Sequence, residues 1–168
     1  MKKFLMLSAI AIGFTSVVSA QKTVVDIAVG SESHTTLVAA VKAADLVATL
    51  QSAGPFTVFA PVNAAFDKLP AGTVATLLKP ENKATLTKVL TYHVVAGNID
   101  AAAVVKAIKD GNGKAVLTTV SGGKLTASVV EGKVILTDEN GGTATVVATD
   151  LKAGNGIVHV IDGVVLPK

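Results

Sequence analysis

Phe56-Thr57-Val58-Phe59-Ala60-Pro61-Val62-Asn63-Ala64-Ala65-Phe66 is the stretch on which the reading of this chain turns. Its first five residues are rich in Phe, Thr and Val, types that pack well on a pleated, buried surface, so Phe56 to Ala60 is expected to be a short buried strand. Pro61 breaks it, because proline has no N–H to give to a ladder. Asn63 stands where it could cap a short helical turn running from Phe66 to Leu69. Burial of Phe56, Val58, Phe59 and Phe66 would contribute about 1.5–3 kcal/mol each.

On the N-terminal side of this stretch the pattern is helical. Ser33 is placed to cap a helix whose apolar residues Leu37, Val38, Val41, Leu46, Val47 and Leu50 recur at helical spacing, and Gly54-Pro55 stops it. On the C-terminal side, Thr73 to Leu78 and Glu81 to Thr91 are expected to be short helices, the second opened by Pro80. Tyr92 to Val95 is expected to be extended. Asp100 then caps a helix over Ala101 to Lys109, which Asp110-Gly111-Asn112-Gly113 ends. Beyond Lys114 the texture changes to short Val/Thr-rich runs: Val116 to Val120, Lys124 to Val130, Lys133 to Thr137, Thr143 to Thr149 and Gly156 to Asp162. Gly-bearing turns between them, with Glu131-Gly132 and Asn140-Gly141 as hairpin signals, make these antiparallel strands. Leu125, Ala127 and Val129 alternate with Thr126 and Ser128, so one face of that strand is expected to be buried. Helices and antiparallel strands segregated in this way indicate an α+β domain.

The N-terminus is expected to be a secretory signal peptide, residues 1–20. Met1-Lys2-Lys3 is a positive start, Phe4 to Val18 is almost wholly apolar, and Val18-Ser19-Ala20 offers small residues for cleavage after Ala20. The apolar run falls short of the roughly 20 residues that span a bilayer, no stop-transfer flank follows it, and there is no cysteine to carry a lipid anchor. Residues 21–168 are then one domain with one sizeable core. Two of the 15 lysines leave with the signal, so 13 face 12 carboxylates, a formal charge of +1. Nearly neutral and without arginine, the residue best suited to phosphate and guanine, the chain is not expected to bind nucleic acid. Without cysteine it forms neither disulfides nor thiolate metal sites.

Templates for chemistry fail one by one. There is no Gly-x-Ser-x-Gly elbow. Gly113-Lys114 and Gly123-Lys124 lack the Ser or Thr and the first glycine of a phosphate loop, and Gly111-x-Gly113 and Gly154-x-Gly156 lack the third glycine of a dinucleotide fingerprint. Asp110 to Lys114 begins like a calcium loop, yet Lys114 puts a cation where an oxygen ligand belongs. Of the three histidines, His34 is expected at a solvated helix start, whereas His93 and His159 are expected inside apolar strands as hydrogen-bonded core residues. No catalytic residue, cofactor site or metal site is expected.

The stretch Phe56 to Phe66 resembles the first signature of fasciclin (FAS1) domains. Gly156-Ile157-Val158-His159-Val160-Ile161-Asp162-Gly163-Val164-Val165-Leu166-Pro167 resembles the second, and Tyr92-His93 the intervening Tyr-His motif. Leu77 to Lys83 is similar to bacterial members. Val62 departs from the common Thr, and Ala64 from a frequent acidic residue. The resemblance implies a FAS1 fold, a β-sandwich wedge with a helical layer, in a secreted, non-enzymatic protein that adheres to protein or polysaccharide at a cell surface or matrix. It makes Phe56, Thr57, Phe59, Pro61, Asn63, Phe66, His159, Ile161 and Asp162 motif residues that mainly build the fold, the two signatures lying as neighbouring strands. Thr57, His93 and His159 would satisfy one another or nearby backbone. Positions matching Tyr92 and His93 are implicated in integrin binding in animal members, which makes these two candidate partner-binding residues, flanked by Val94 and Val95. The alternative is a periplasmic or extracellular small-ligand carrier, because an Ala/Val-rich α+β domain could leave an apolar groove.

Overall fold

A computed structural model describes residues 21–168; the expected signal peptide lies outside the described residues. The chain enters through α1 (Val24–Val29), which periodicity alone did not separate from its surroundings. Its start is fixed locally by a reciprocal cap. Asp26 N–H donates to Thr23 Oγ1 (3.3 Å), and Thr23 N–H donates to Asp26 Oδ2 (2.8 Å).

The helix expected to run from Ser33 to Leu50 is instead a 3-10 turn (Glu32–His34), α2 (Thr35–Ala43) and α3 (Val47–Gln51). The break lies at Asp45, which takes a positive φ of 55°. Asp45 N–H bonds to the Lys42 carbonyl and Leu46 N–H to the Val41 carbonyl, both at 3.1 Å. This is a Schellman closure with Asp in the place glycine usually fills. Lys83, on a later helix, pairs with the Asp45 carboxylate.

After α3, β1 (Phe56–Pro61) passes into α4 (Asn63–Asp67), and α5 (Thr73–Leu77) follows. A 3-10 turn (Pro80–Asn82) leads into α6 (Lys83–Tyr92), so Tyr92 closes a helix and only β2 (Val94–Ala96) is extended. The expected Asp100 cap is present: Ala103 N–H donates to Asp100 Oδ1 (2.7 Å) at the head of α7 (Ala101–Asp110).

The remaining strands are β3 (Lys114–Thr118), β4 (Lys124–Val130), β5 (Lys133–Thr137), β6 (Thr143–Ala153) and β7 (Gly156–Ile161). Between β4 and β5, Glu131 and Gly132 both take positive φ, 51° and 78°, as a type I′ hairpin turn requires. β3 lies two residues earlier than expected because Thr119 and Val120 turn away to meet β2, through a Val95–Thr119 bridge and a Val120 N–H to Val94 carbonyl bond of 2.7 Å.

The strand order is β2-β1-β7-β6-β5-β4-β3. Neighbours are antiparallel except β1 and β7, which run parallel with Phe56 beside Gly156, Phe59 beside His159 and Pro61 beside Ile161. β6 is eleven residues long and bends through two register shifts, so one strand serves both halves of the sheet. The bridge between β2 and β3 brings the outermost strands together, and the sheet becomes a nearly closed wedge.

Two cores fill it. One joins Val24, Leu37, Val41, Leu50, Leu86 and Leu90 of the helices to Val58, Ala60 and Val158 of the strands. The other packs Val104 and Ile108 of α7 on Leu125, Ala127 and Leu136, with Phe59, Tyr92 and Ile161. Successive residues of β1 face opposite cores, Val58 and Ala60 one and Phe59 the other. A strand covered on both faces needs a near-continuous apolar run, which is the texture of the opening stretch apart from Thr57. Val129 departs from expectation: it is 41% exposed, at the end of β4 beside the hairpin turn.

Candidate functional site

The signature strands bring their polar side chains to one region of the interior, and each is held by backbone. Thr57 is fully buried; its hydroxyl donates to the Gly97 carbonyl (2.7 Å) and accepts from Ile99 N–H (2.9 Å). His159 lies beside it, donating from Nε2 to the Ile99 carbonyl (2.8 Å) and accepting from Asp150 N–H at Nδ1 (3.4 Å). Its ring stacks on Phe59, centroids 5.6 Å apart at 25°. The loop between Gly97 and Ile99 is therefore clamped from both signatures.

His93 follows Tyr92 at the end of α6. Its Nδ1–H donates to the Val89 carbonyl (2.8 Å) and its Nε2 accepts from Val165 N–H (3.2 Å), which requires the neutral tautomer. Burial pushes its pKa down to about 4, against smaller opposing effects of the Val89 carbonyl and Asp138. Tyr92 is fully buried, donates to the Lys124 carbonyl (2.6 Å) and accepts from Glu139 N–H (3.3 Å). Burial raises its pKa. Thr57, His93 and His159 thus bond to backbone and not to one another. Val94 and Val95 are buried too.

Among the other motif residues, Phe59, Pro61 and Ile161 are buried, while Phe56 and Phe66 are half-buried. Asp162 accepts from Thr145 N–H (2.7 Å) and pairs with Lys68 at 3.6 Å. Asn63 does not cap its own helix, whose cap residue is Val62. Its Oδ1 accepts from Thr36 N–H (3.1 Å) and Thr35 Oγ1 (3.2 Å), and its Nδ2 donates to the Glu32 carbonyl (2.9 Å). Asn63 thus caps α2 from across the fold, a role expected of Ser33. Replacing Asn63 by Ala should lower unfolding free energy by about 1–2 kcal/mol, read from the urea midpoint; an unchanged midpoint would refute the cap.

His34 is buried, contrary to the solvated reading. Its Nδ1 meets Ser31 Oγ at 2.8 Å, while Nε2 has no hydrogen-bond partner. Burial lowers its pKa; the Ala60 carbonyl lies near enough to oppose this weakly, outside hydrogen-bonding geometry.

Two anchors were not singled out from sequence. Asn155 accepts from Val24 N–H (3.0 Å) and donates to the Leu50 (2.7 Å) and Ser52 (2.9 Å) carbonyls, tying α1 and α3 to the β6–β7 turn. Asp138 gathers Asn140, Gly142 and Leu166 N–H groups at 2.7 to 2.9 Å and fastens the C-terminal segment. Asp138-Glu139-Asn140-Gly141 carries the Asx-turn composition that could have flagged the second.

An apolar cavity of about 210 Å³ lies between α1, α2, α3 and β1. Val25, Val41, Leu50 and Val58 wall it, and exposed Asp26, Lys42 and Gln51 stand at its rim. Among the described residues no cluster of His, Cys, Asp or Glu is arranged to hold a metal ion, and no helix is long and apolar enough to cross a membrane.

The family model of the fasciclin domain matches residues 32–167. Protein sll1483 of Synechocystis sp. is 49% identical over 146 residues, which cover 86% of this chain and 73% of that protein. Immunogenic protein MPB70 of Mycobacterium bovis is 39% identical over 123 residues, 73% of this chain and 55% of that one. Among solved structures, the FAS1 domain pair of the insect cell adhesion molecule Fasciclin I superposes with a TM-score of 0.61 at 22% identity, over 75% of this chain and 42% of that chain. At that identity the likeness is one of fold.

Proposed function

This chain belongs to the fasciclin-domain family, and from that premise we propose that it is an exported, non-enzymatic module that binds protein or polysaccharide at a cell surface or matrix. One observation carries the reading: the signature side chains able to do chemistry or to bond a partner, Thr57, Tyr92, His93 and His159, are buried and bonded to the backbone of their own fold. Recognition then falls to the outer surface, as in an adhesion domain. The fold shared with an insect cell adhesion molecule supports the same reading. In this reading Tyr92 and His93 are scaffold: both are buried, and a protein or polysaccharide would reach them only by opening the interior, although His93 also lines the cavity beneath α1. Export, to the periplasm or beyond the cell, rests on the signal-like residues 1–20.

Deletion of the gene should reduce attachment of the cells to surfaces and their biofilm, and the full chain supplied back should restore both. Unchanged attachment across several surfaces would overturn adhesion. A second reading, a small-ligand carrier, is favoured by the apolar cavity alone. Native mass spectrometry of protein taken from its own export route tests it, and a consistently ligand-free mass would remove it.

A further inference from the structure

The cavity beneath α1 combines an apolar interior with a charged mouth. Its volume of about 210 Å³ exceeds the roughly 150 Å³ of an apolar cavity that takes up benzene. Val25, Ala28, Val38, Val41 and Leu50 give water no partners there, and both ring nitrogens of His93, which also lines the cavity, are taken by the Val89 carbonyl and Val165 N–H, whereas a buried water needs two to four. An apolar occupant is favoured over solvent.

Charge at the rim selects the kind of occupant. Asp26 is engaged in the α1 cap, its Oδ2 2.8 Å from both Thr23 N and Thr23 Oγ1, and these bonds lower its pKa and keep it ionised. Lys42, in the last turn of α2, forms no ion pair among the described residues. Asp26 and Lys42 leave the rim without net charge, and Lys42 is the cationic group among the lining residues that can meet an anionic head on a hydrocarbon chain. The volume limits that chain to medium length, since it stays below the roughly 300 Å³ at which drug-sized sites begin.

We propose that this cavity binds a free medium-chain fatty carboxylate, with its chain against Val25, Val41 and Leu50 and its carboxylate at Lys42. The proposal rests on the carrier reading and gives it a site and a ligand class.

Titration calorimetry of the exported protein with sodium octanoate, sodium decanoate and decanol tests it. Octanoate and decanoate should each saturate one site, and each added methylene should tighten binding about fourfold. Lys42→Gln should weaken decanoate several-fold and leave decanol unchanged. Ala28→Phe and Val38→Phe, both at half-buried positions on the cavity wall, should abolish binding of both while circular dichroism and Tm stay those of the parent. Absence of saturable decanoate binding would overturn the proposal, as would binding that survives both Phe variants or ignores Lys42→Gln. Co-sedimentation with phosphatidylcholine vesicles that Ala28→Phe abolishes would give the cavity to a membrane lipid chain instead, and overturn it too. If decanoate fails while native mass spectrometry finds another bound small molecule, this proposal falls and the carrier reading stands; a ligand-free mass removes both.

Discussion

Phe59→Ala should cost about 3–5 kcal/mol of unfolding free energy, the usual range for removing a buried phenylalanine and leaving the hole behind. Phe59 is 1% exposed, stacks on His159 and shares a core with Val104, Leu125 and Ile161. A domain of this size is stable by about 5–15 kcal/mol, so one substitution removes a large share of the total. Phe66→Ala, at a half-buried position, should cost clearly less. Urea unfolding of the two variants beside the parent reads both values. A Phe59→Ala loss below about 1 kcal/mol, or one no larger than that of Phe66→Ala, would show that β1 is not the strand shared by the two cores.

Acid should weaken the fold through His93. Its ordinary pKa near 6.5 falls to about 4 in the folded protein. Between these values the unfolded chain binds a proton that the folded chain refuses, so stability is fully present above pH 6.5 and is lost as pH falls toward 4. The shift corresponds to a loss on the order of 3 kcal/mol. His34, whose pKa burial also lowers, acts in the same direction. Urea midpoints from pH 7 to pH 4 should therefore fall steeply in the parent and less steeply in His93→Gln, whatever that variant's absolute stability. Equal slopes would mean that His93 is not buried as a neutral ring.

What could be read from sequence was local. The Asp100 cap and the Glu131-Gly132 turn each depend on residues a few positions apart, and both stand where expected. So does the central strand, which keeps Pro61 as its last residue, because a run buried on both faces is mostly apolar, Thr57 being the exception whose hydroxyl is bonded. The split of the second helix at Asp45 was hidden because Leu46, Val47 and Leu50 continue the helical spacing across it, and Asp is a rarer occupant of the left-handed position than glycine. The partner of Asn63 was hidden for a different reason. A side-chain amide offers the same groups to its own helix and to a distant one, and only the tertiary approach of α2 and α4 decides between them.

Much the same separates the candidate site from its motifs. That β1 and β7 are neighbours followed from the resemblance, but their parallel register, which sets Phe59 beside His159, is a long-range pairing that no local pattern encodes. Asn155 sits in a turn that, as sequence, showed only a missing third glycine; in the fold it holds α1 and α3. The cavity is a volume left between three short helices, a property of how they pack and not of any residue in them.

The central claim is that the signature residues build a scaffold and that attachment is made by the surface it presents. Its most direct test returns Thr57→Val, His93→Gln and His159→Gln, one at a time, to cells lacking the gene, with attachment and the folded fraction of each variant measured at the same temperature. Attachment should follow the folded fraction, so that any variant still folded attaches like the parent. A variant folded as fully as the parent that fails to restore attachment would contradict the claim and place the contact surface at the signature itself.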